Sequence, residues 1–257
     1  MSSNKNSVSD TSFMPNDSVQ PNSIFNESLF KELSILEKVS INQKTTCIDC
    51  LFPLCTPNEY EVYNTNTNEI LYEFHEDSAC LERFCFYRCR GFLMKINNIV
   101  SSDNNKSVLV EGRKTCGIGI ISCFGCEKPK IIVDVKTPHG FMLGKIAMNW
   151  NSCCCPTCSS RIDIIDNTGK LLYIIKANRF AIGSYCWHCT KCCDILYHII
   201  QNDKKVGNMK KLSCENCRIC CTKGDQFSII FPTIATAEEK MLLIIGCILI
   251  DYQSFYL

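Results

Sequence analysis

The stretch Glu238-Glu239-Lys240-Met241-Leu242-Leu243-Ile244-Ile245-Gly246-Cys247-Ile248-Leu249-Ile250-Asp251 decides the fold. Met241 to Ile250 runs without one polar side chain, between a charged triplet and an aspartate. A helix that crosses a bilayer needs about 20 apolar residues. Ten helical residues rise only about 15 Å. The run is therefore too short to span a membrane, yet a helix made of it is apolar on every side and has to be buried. It predicts a C-terminal helix over about 235–250 and a shell of other structure around it.

Working outward, the preceding sequence reads as that shell. Apolar-rich segments alternate with turn signals at short spacing, which is the pattern of strands in an all-β domain. The strand candidates are Leu33–Asn42, Tyr60–Asn64, Glu69–Phe74, Phe92–Asn98, Ser107–Glu111, Lys130–Lys136, Phe141–Asn149, Arg161–Asp166, Lys170–Lys176, Asp194–Gln201, Lys204–Lys210 and Gln226–Phe231. Between them, Asp166-Asn167-Thr168-Gly169, Asn202-Asp203 and Pro138-His139-Gly140 supply residues that tolerate a positive φ. In the sixth candidate, Ile131, Val133 and Val135 share one face, and Ile132, Asp134 and Lys136 share the other. That suits a sheet with one buried side.

About a dozen strands leave edges that closure removes, and a barrel of that size has a lumen too wide for its own side chains. The fold class expected is mainly β: a closed antiparallel barrel of about twelve strands around the buried helix. Residues 1–28 are rich in Ser, Asn and Asp without periodicity and read as a disordered tail. The domain then covers 29–257.

Composition narrows the function. The 257 residues carry 27 Lys plus Arg against 26 Asp plus Glu, so the balance of charge gives no argument for nucleic acid as a partner. Cysteine is the anomaly, at 22 residues. The N-terminus has no basic start and no apolar core of a secretory signal, so the expectation is a reducing, cytosolic setting. Cysteines there serve as core residues, metal ligands or acylation sites. Ser2 rules out N-myristoylation, and the final SFYL is no prenylation box. There is no G-x-S-x-G, phosphate loop or H-E-x-x-H. A bond-making or bond-breaking enzyme is not expected.

At this point the residues resemble the phospholipid scramblase family. The stretch Phe227-Ser228-Ile229-Ile230-Phe231-Pro232 is similar to the family's F-G-I-Q-F-P, and Ile245-Gly246-Cys247-Ile248-Leu249-Ile250-Asp251 to its I-G-A-C-F-L-I-D helix. Gly144-Lys145-Ile146 ending in Trp150, and the cysteine run from Cys186 to Cys193, add to the likeness. The resemblance implies a tubby-like fold, attachment to the cytosolic face of a membrane such as the plasma membrane, and two-way, ATP-independent, Ca²⁺-stimulated phospholipid movement. It also points to departures. The family's calcium segment falls on Lys223 at its first position, Asp225 at its third and Ile234 at its last. Calcium takes several oxygen ligands, and a lysine at the first position repels it, so Asp225 is a weak candidate. The proline-rich tail that docks SH3 or WW modules is missing, with only Pro15 and Pro21 in that region.

Two cysteine clusters are candidates for palmitate: Cys116, Cys123 and Cys126, where the family's acylated cluster falls, and Cys153, Cys154, Cys155 and Cys158 one hairpin later. Two or more acyl chains hold a protein stably at a bilayer. Two C-x-x-C pairs, Cys186 with Cys189 and Cys214 with Cys217, have the ligand types of a zinc site. Their separation exceeds the usual ribbon spacing of about 15–20 residues. Lys204, Lys205, Lys210, Lys211 and Arg218 form a basic cluster suited to anionic lipid. The function expected is scramblase-like, with a non-catalytic lipid- or protein-binding module and a zinc-binding regulatory protein as the alternatives.

Overall fold

The computed structural model describes residues 30–44, 57–79, 92–99, 108–114, 131–150, 160–177, 194–212 and 224–254. A single helical turn, α1 (Lys31–Ile35), leads into β1 (Lys38–Lys44), β2 (Glu59–Asn64), β3 (Ile70–Asp77), β4 (Phe92–Asn98), β5 (Val108–Lys114) and β6 (Ile131–Lys136). The chain continues through β7 (Met142–Trp150), β8 (Ser160–Asp166), β9 (Leu171–Ala177), β10 (Ile195–Gln201), β11 (Lys204–Leu212) and β12 (Gln226–Ile230) to α2 (Ala237–Ser254). Each strand pairs antiparallel with its neighbours in sequence, and β1 pairs with both β2 and β12, which closes the ring.

Alternation of side chains sorts each strand between lumen and outside. In β6, Val133 and Val135 are buried while Ile132 is 43% exposed, as the period of two requires. The turns use the residues expected of them. Gly140 and Gly169 have φ of 82° and 89°, and Asn202 and Asp203 both lie at positive φ in the two-residue β10–β11 turn.

The eighteen residues of α2 fill the lumen. At about 1.5 Å per residue they span about 27 Å. Met241 to Ile245 and Cys247 to Ile250 are all buried. The helix lies close against β7 and β8. A Cβ on Gly144 would sit 2.4 Å from the Ile165 carbonyl oxygen and 2.8 Å from Leu242 Cδ1, so only glycine lets the helix approach there. Thr236 and Glu239 form a capping box at the helix start: the Glu239 backbone N–H donates to Thr236 Oγ1 at 3.3 Å, and Glu239 Oε2 accepts from the Thr236 N–H at 3.2 Å.

The first strand candidate is corrected. Lys31–Ile35 is helical, because Phe30 and Leu33 stand three residues apart and bury the same side, while Ile35 is 80% exposed. Lys240 fixes this turn from inside the barrel. Its ammonium donates to the carbonyls of Leu33, Ser34 and Leu36 at 3.1, 2.7 and 2.8 Å. Those carbonyls lie at the helix end, where acceptors lack intrahelical partners, and Leu33 also accepts the Leu36 N–H at 3.3 Å. The proposed tail, 1–28, lies outside the described residues.

Candidate functional site

Among the described residues, polar side chains inside the barrel cluster toward its two ends. At the end where α2 starts, Tyr173 on β9 donates its hydroxyl to Glu239 Oε2 at 2.7 Å. Burial, and then the Glu239 carboxylate, raise the phenol's pKa.

The other end holds the charged site. Lys211 on β11 is 3% exposed at its side chain, and its Nζ lies 2.5 Å from Asp225 Oδ2 and 3.4 Å from Asp251 Oδ1. Asp251, near the C-terminal end of α2, is fully buried and accepts the Tyr60 hydroxyl on Oδ2 at 3.0 Å. Burial pushes the Asp251 carboxyl well above the usual carboxylate range, Asp225 pushes it further, and Lys211 and Tyr60 pull it back in part. Burial works against the Lys211 ammonium, but the two aspartates outweigh it, and its pKa ends above the ordinary lysine value. Lys211 also lies 5.5 Å from the centre of the Phe227 ring, a favourable place for a cation. The helix and wall are thus joined by one cation shared between two carboxyl groups.

Local backbone geometry holds Asp225 in place. Its N–H donates to Gln43 Oε1 at 3.2 Å, and the Gln43 N–H donates to the Asp225 carbonyl at 2.9 Å. A Cβ on Gly224 would sit 2.2 Å from the Gln43 carbonyl oxygen. Gly224 is what allows the chain to press against the end of β1. Cys247, one turn before Asp251, is buried, and burial raises its thiol pKa well above normal. It behaves as a packing residue.

This geometry revises the surface expectations. Lys211 does not belong to a lipid-facing patch, because Met209 and Lys211 share the lumenal face of β11. Lys204 and Lys205 are exposed at the β10–β11 turn, six to seven strand residues from Lys211, or about 20–23 Å. Lys210 faces outward and pairs with Asp194 at 2.5 Å. The basic cluster is therefore divided between the two ends of one strand. The candidate calcium segment is likewise stretched, since β12 separates Asp225 at one end of the barrel from Ile234, 74% exposed, beyond the other. Among the described residues no group of three or more His, Cys, Asp or Glu is placed to hold a metal. Arg218, Lys223 and the cysteines Cys116, Cys123, Cys126, Cys153, Cys154, Cys155, Cys158, Cys186, Cys189, Cys214 and Cys217 lie outside the described residues.

The outer wall is charged. Lys44 pairs with Glu61 at 2.7 Å, Lys95 with Asp77 at 2.8 Å and Arg161 with Asp163 at 2.6 Å. A barrel that spans a bilayer has an apolar outer band and a polar lumen. Here the described lumen is mostly apolar and the described wall carries these ion pairs. Among the described residues no helix is long and apolar enough to cross a membrane.

The fold and its internal lock define a class: a closed barrel with ion pairs on its wall, plugged by its own helix. The family model described as Scramblase matches residues 18–256, and the chain belongs to that family. It is 24% identical over 225 residues to phospholipid scramblase 1 of Homo sapiens, covering 87% of this chain and 64% of that one. Against phospholipid scramblase 2 of Bos taurus the identity is 25% over 225 residues, covering 87% of this chain and 70% of the relative. Phospholipid scramblase family member 5 of Homo sapiens is 21% identical over 252 residues, 95% of this chain and 81% of its own. The chain therefore spans just under two-thirds of the length of the human scramblase 1. No solved structure matches it.

Proposed function

We propose that this protein acts on phospholipids at a membrane surface and moves them passively between leaflets, without ATP. The support is its membership of the Scramblase family together with the plugged barrel. In this reading the protein is a transport-like factor and not a bond-making or bond-breaking enzyme. It is held on the cytosolic face, at the plasma membrane, by palmitate on Cys153, Cys154, Cys155 and Cys158 or on Cys116, Cys123 and Cys126. Two or more acyl chains suffice for stable attachment. Lys204 and Lys205 at their exposed turn add attraction to anionic headgroups of about 1 kcal/mol each. Calcium stimulation in this reading does not run through Asp225, whose carboxylate is held by Lys211.

A second reading is a tubby-like module that binds an anionic lipid surface without leaflet exchange. The sealed lumen favours it. A headgroup needs a polar path across hydrocarbon, because each unsatisfied polar group there costs several kcal/mol. Neither the plugged interior nor an intact charged wall offers one.

Liposomes carrying a fluorescent phospholipid and a membrane-impermeant quencher separate the two. Under the first reading the quenched fraction rises beyond the outer leaflet, without ATP. Binding with no exchange above protein-free liposomes refutes the first reading in favour of the second. Hydroxylamine-sensitive acyl labelling in cells tests the anchor, which a wholly unlabelled chain would exclude.

A further inference from the structure

Among the described residues, Ile35, Ile132, Leu171, Ile230 and Ile234 are the large apolar side chains left exposed. Ile132 and Leu171 stand singly on β6 and β9, which is ordinary for a folded surface. The other three gather at the end of the barrel where α2 starts. β1 begins at Lys38, directly opposite Ile230, where β12 ends. Ile35 precedes Lys38 by three residues, and Ile234 follows Ile230 by four. A chain reach of about 3.6 Å per residue keeps them within about 11 and 14 Å of that rung. The Phe231 N–H donates to the Glu37 carbonyl at 2.9 Å and ties the two segments together.

Neither Ile35 nor Ile234 is exposed through a loose end. Lys240 holds the carbonyls of Ser34 and Leu36 on either side of Ile35, whose side chain is left 80% exposed. Ile234 lies between buried Pro232 and buried Ala235, whose N–H donates to the Pro232 carbonyl at 3.1 Å, and it is 74% exposed. The backbone therefore presents both outward. Lysines surround them. β11 lies next to β12 in the ring, with Asn208 opposite Ile230, and exposed Lys204 and Lys205 begin β11 four and three residues before Asn208. Lys31 on α1 and Lys38 on β1 are exposed as well. Against these four lysines, the exposed acids of α1, β1, the β10–β11 turn and their links at this end are Glu37 and Asp203, while Glu32 and Glu238 are half-buried.

The composition says what such a surface meets. Protein interfaces are enriched in aromatic residues, methionine and arginine, and depleted in lysine. Here isoleucine and lysine are exposed, and the described exposed residues of the sector include none of the enriched types. In a two-fold dimer of this chain the patch would meet itself, which sets the lysines against their own copies. An anionic bilayer suits both parts at once. Isoleucines enter the boundary between headgroup and acyl chain without a fitted pocket, and lysines stay at the level of the phosphates. We propose that Ile35, Ile230 and Ile234, ringed by Lys31, Lys38, Lys204 and Lys205, form the surface that this barrel sets on an anionic phospholipid membrane. The barrel then stands on the end where α2 starts, and the Lys211 ion pairs lie at the end away from lipid. The inference rests on the reading of the protein as one that works at a phospholipid surface, and adds which face and which lipid charge.

The test uses the full chain, treated with hydroxylamine to remove any thioester-linked acyl group, and sedimentation with vesicles of phosphatidylcholine, with or without phosphatidylserine. Binding is expected with phosphatidylserine and to fall with added salt. Lys204→Gln with Lys205→Gln is expected to weaken it about 30-fold, from about 1 kcal/mol per lysine. Ile35→Ser with Ile234→Ser is expected to weaken it at least about tenfold. Ile132→Ser, on β6, leaves it unchanged. All these side chains are exposed, so melting temperatures stay at the parent's. If a variant fails to fold, Ile234→Trp decides alone: brominated lipid is expected to quench its emission beyond that of the parent, which has Trp150 and Trp187. A parent that ignores anionic vesicles or binds both kinds equally, isoleucine and lysine variants that bind like the parent, an equal loss in Ile132→Ser, or a dimer that the isoleucine variant dissolves while vesicle binding persists overturns the proposal. Leaflet exchange on the same vesicles separates this surface from the activity. Isoleucine-dependent binding without exchange supports the surface and refutes scrambling. Exchange with binding indifferent to the isoleucines refutes the surface alone.

Discussion

Replacing Lys211 by methionine keeps the aliphatic stem and deletes the ammonium. Asp225 and Asp251 then face one another in the lumen without the cation that lies 2.5 and 3.4 Å from them. Removing one partner of a buried ion pair costs about 3–5 kcal/mol, because the remaining charge is left uncompensated. In a domain of this size each kcal/mol moves the melting temperature by about 2–4 °C, so Lys211→Met is expected to melt about 6–20 °C below the parent. Asp251→Asn is expected to be milder. The parent carboxyl is already pushed toward its neutral form by burial, and asparagine is its neutral near-isostere. Combining the two substitutions recovers part of the Lys211→Met loss, since a neutral amide at position 251 can donate to the Asp225 carboxylate that the ammonium left behind. The pH dependence has a defined sign. Asp251 holds its proton more tightly in the native state than in the unfolded chain. Its stabilising contribution is complete below the unfolded value of about 3.9 and is lost as pH rises through the raised native value. Asp251→Asn removes that decline. Urea unfolding of the four proteins across pH measures all of this. A Lys211→Met protein within about 1 kcal/mol of the parent would refute the reasoning.

Three further substitutions probe the rest of the interior. Tyr173→Phe deletes the hydrogen bond to the Glu239 carboxylate and is expected to cost about 1.5–3 kcal/mol; an unchanged urea midpoint counts against that bond. Lys240→Met removes the ammonium from the carbonyls of Leu33, Ser34 and Leu36, and leaves Leu33 only the Leu36 N–H. Amide exchange is expected to speed up in α1 far more than in β5 to β9, and uniform exchange across both would contradict a local role. Gly144→Val drives a side chain into Leu242 and the Ile165 carbonyl. It is expected to destabilise by at least about 1–3 kcal/mol, the range for an overpacked core, and a melting temperature equal to the parent's would show that α2 does not press on β7.

Eleven of the twelve strands were legible with ends within a few residues, because a lumen lined by apolar side chains writes a period of two into every strand and polar turns punctuate it. The helix was legible because its apolar run is both unbroken and short. The misread element, Lys31–Ile35, has alternation too: Leu33 and Ile35 imitate a strand. The tertiary contact of Lys240 with its carbonyls decides the matter, 204 to 207 residues away. The buried ion pairs were the least legible part of the site. Lys211 sits in a lysine-rich strand that looks solvated as a whole, and only parity with Met209 betrays that it points inward. Asp225 looked like a possible ligand because sequence does not reveal that a lysine fourteen residues earlier is folded against it.

The ring closes between β1 and β12, with Val39 opposite Ile229, and its plug follows both in the chain. Joining such distant segments carries a heavy entropic toll before any contact repays it, so assembly of this topology is slow. Until α2 docks, the most oil-like decapeptide of the protein and an unfilled cavity await each other in water. This interval is when misassociation threatens most, and a chaperone that shields Met241–Ile250 is expected to raise the yield of native barrel more than one that protects any single hairpin.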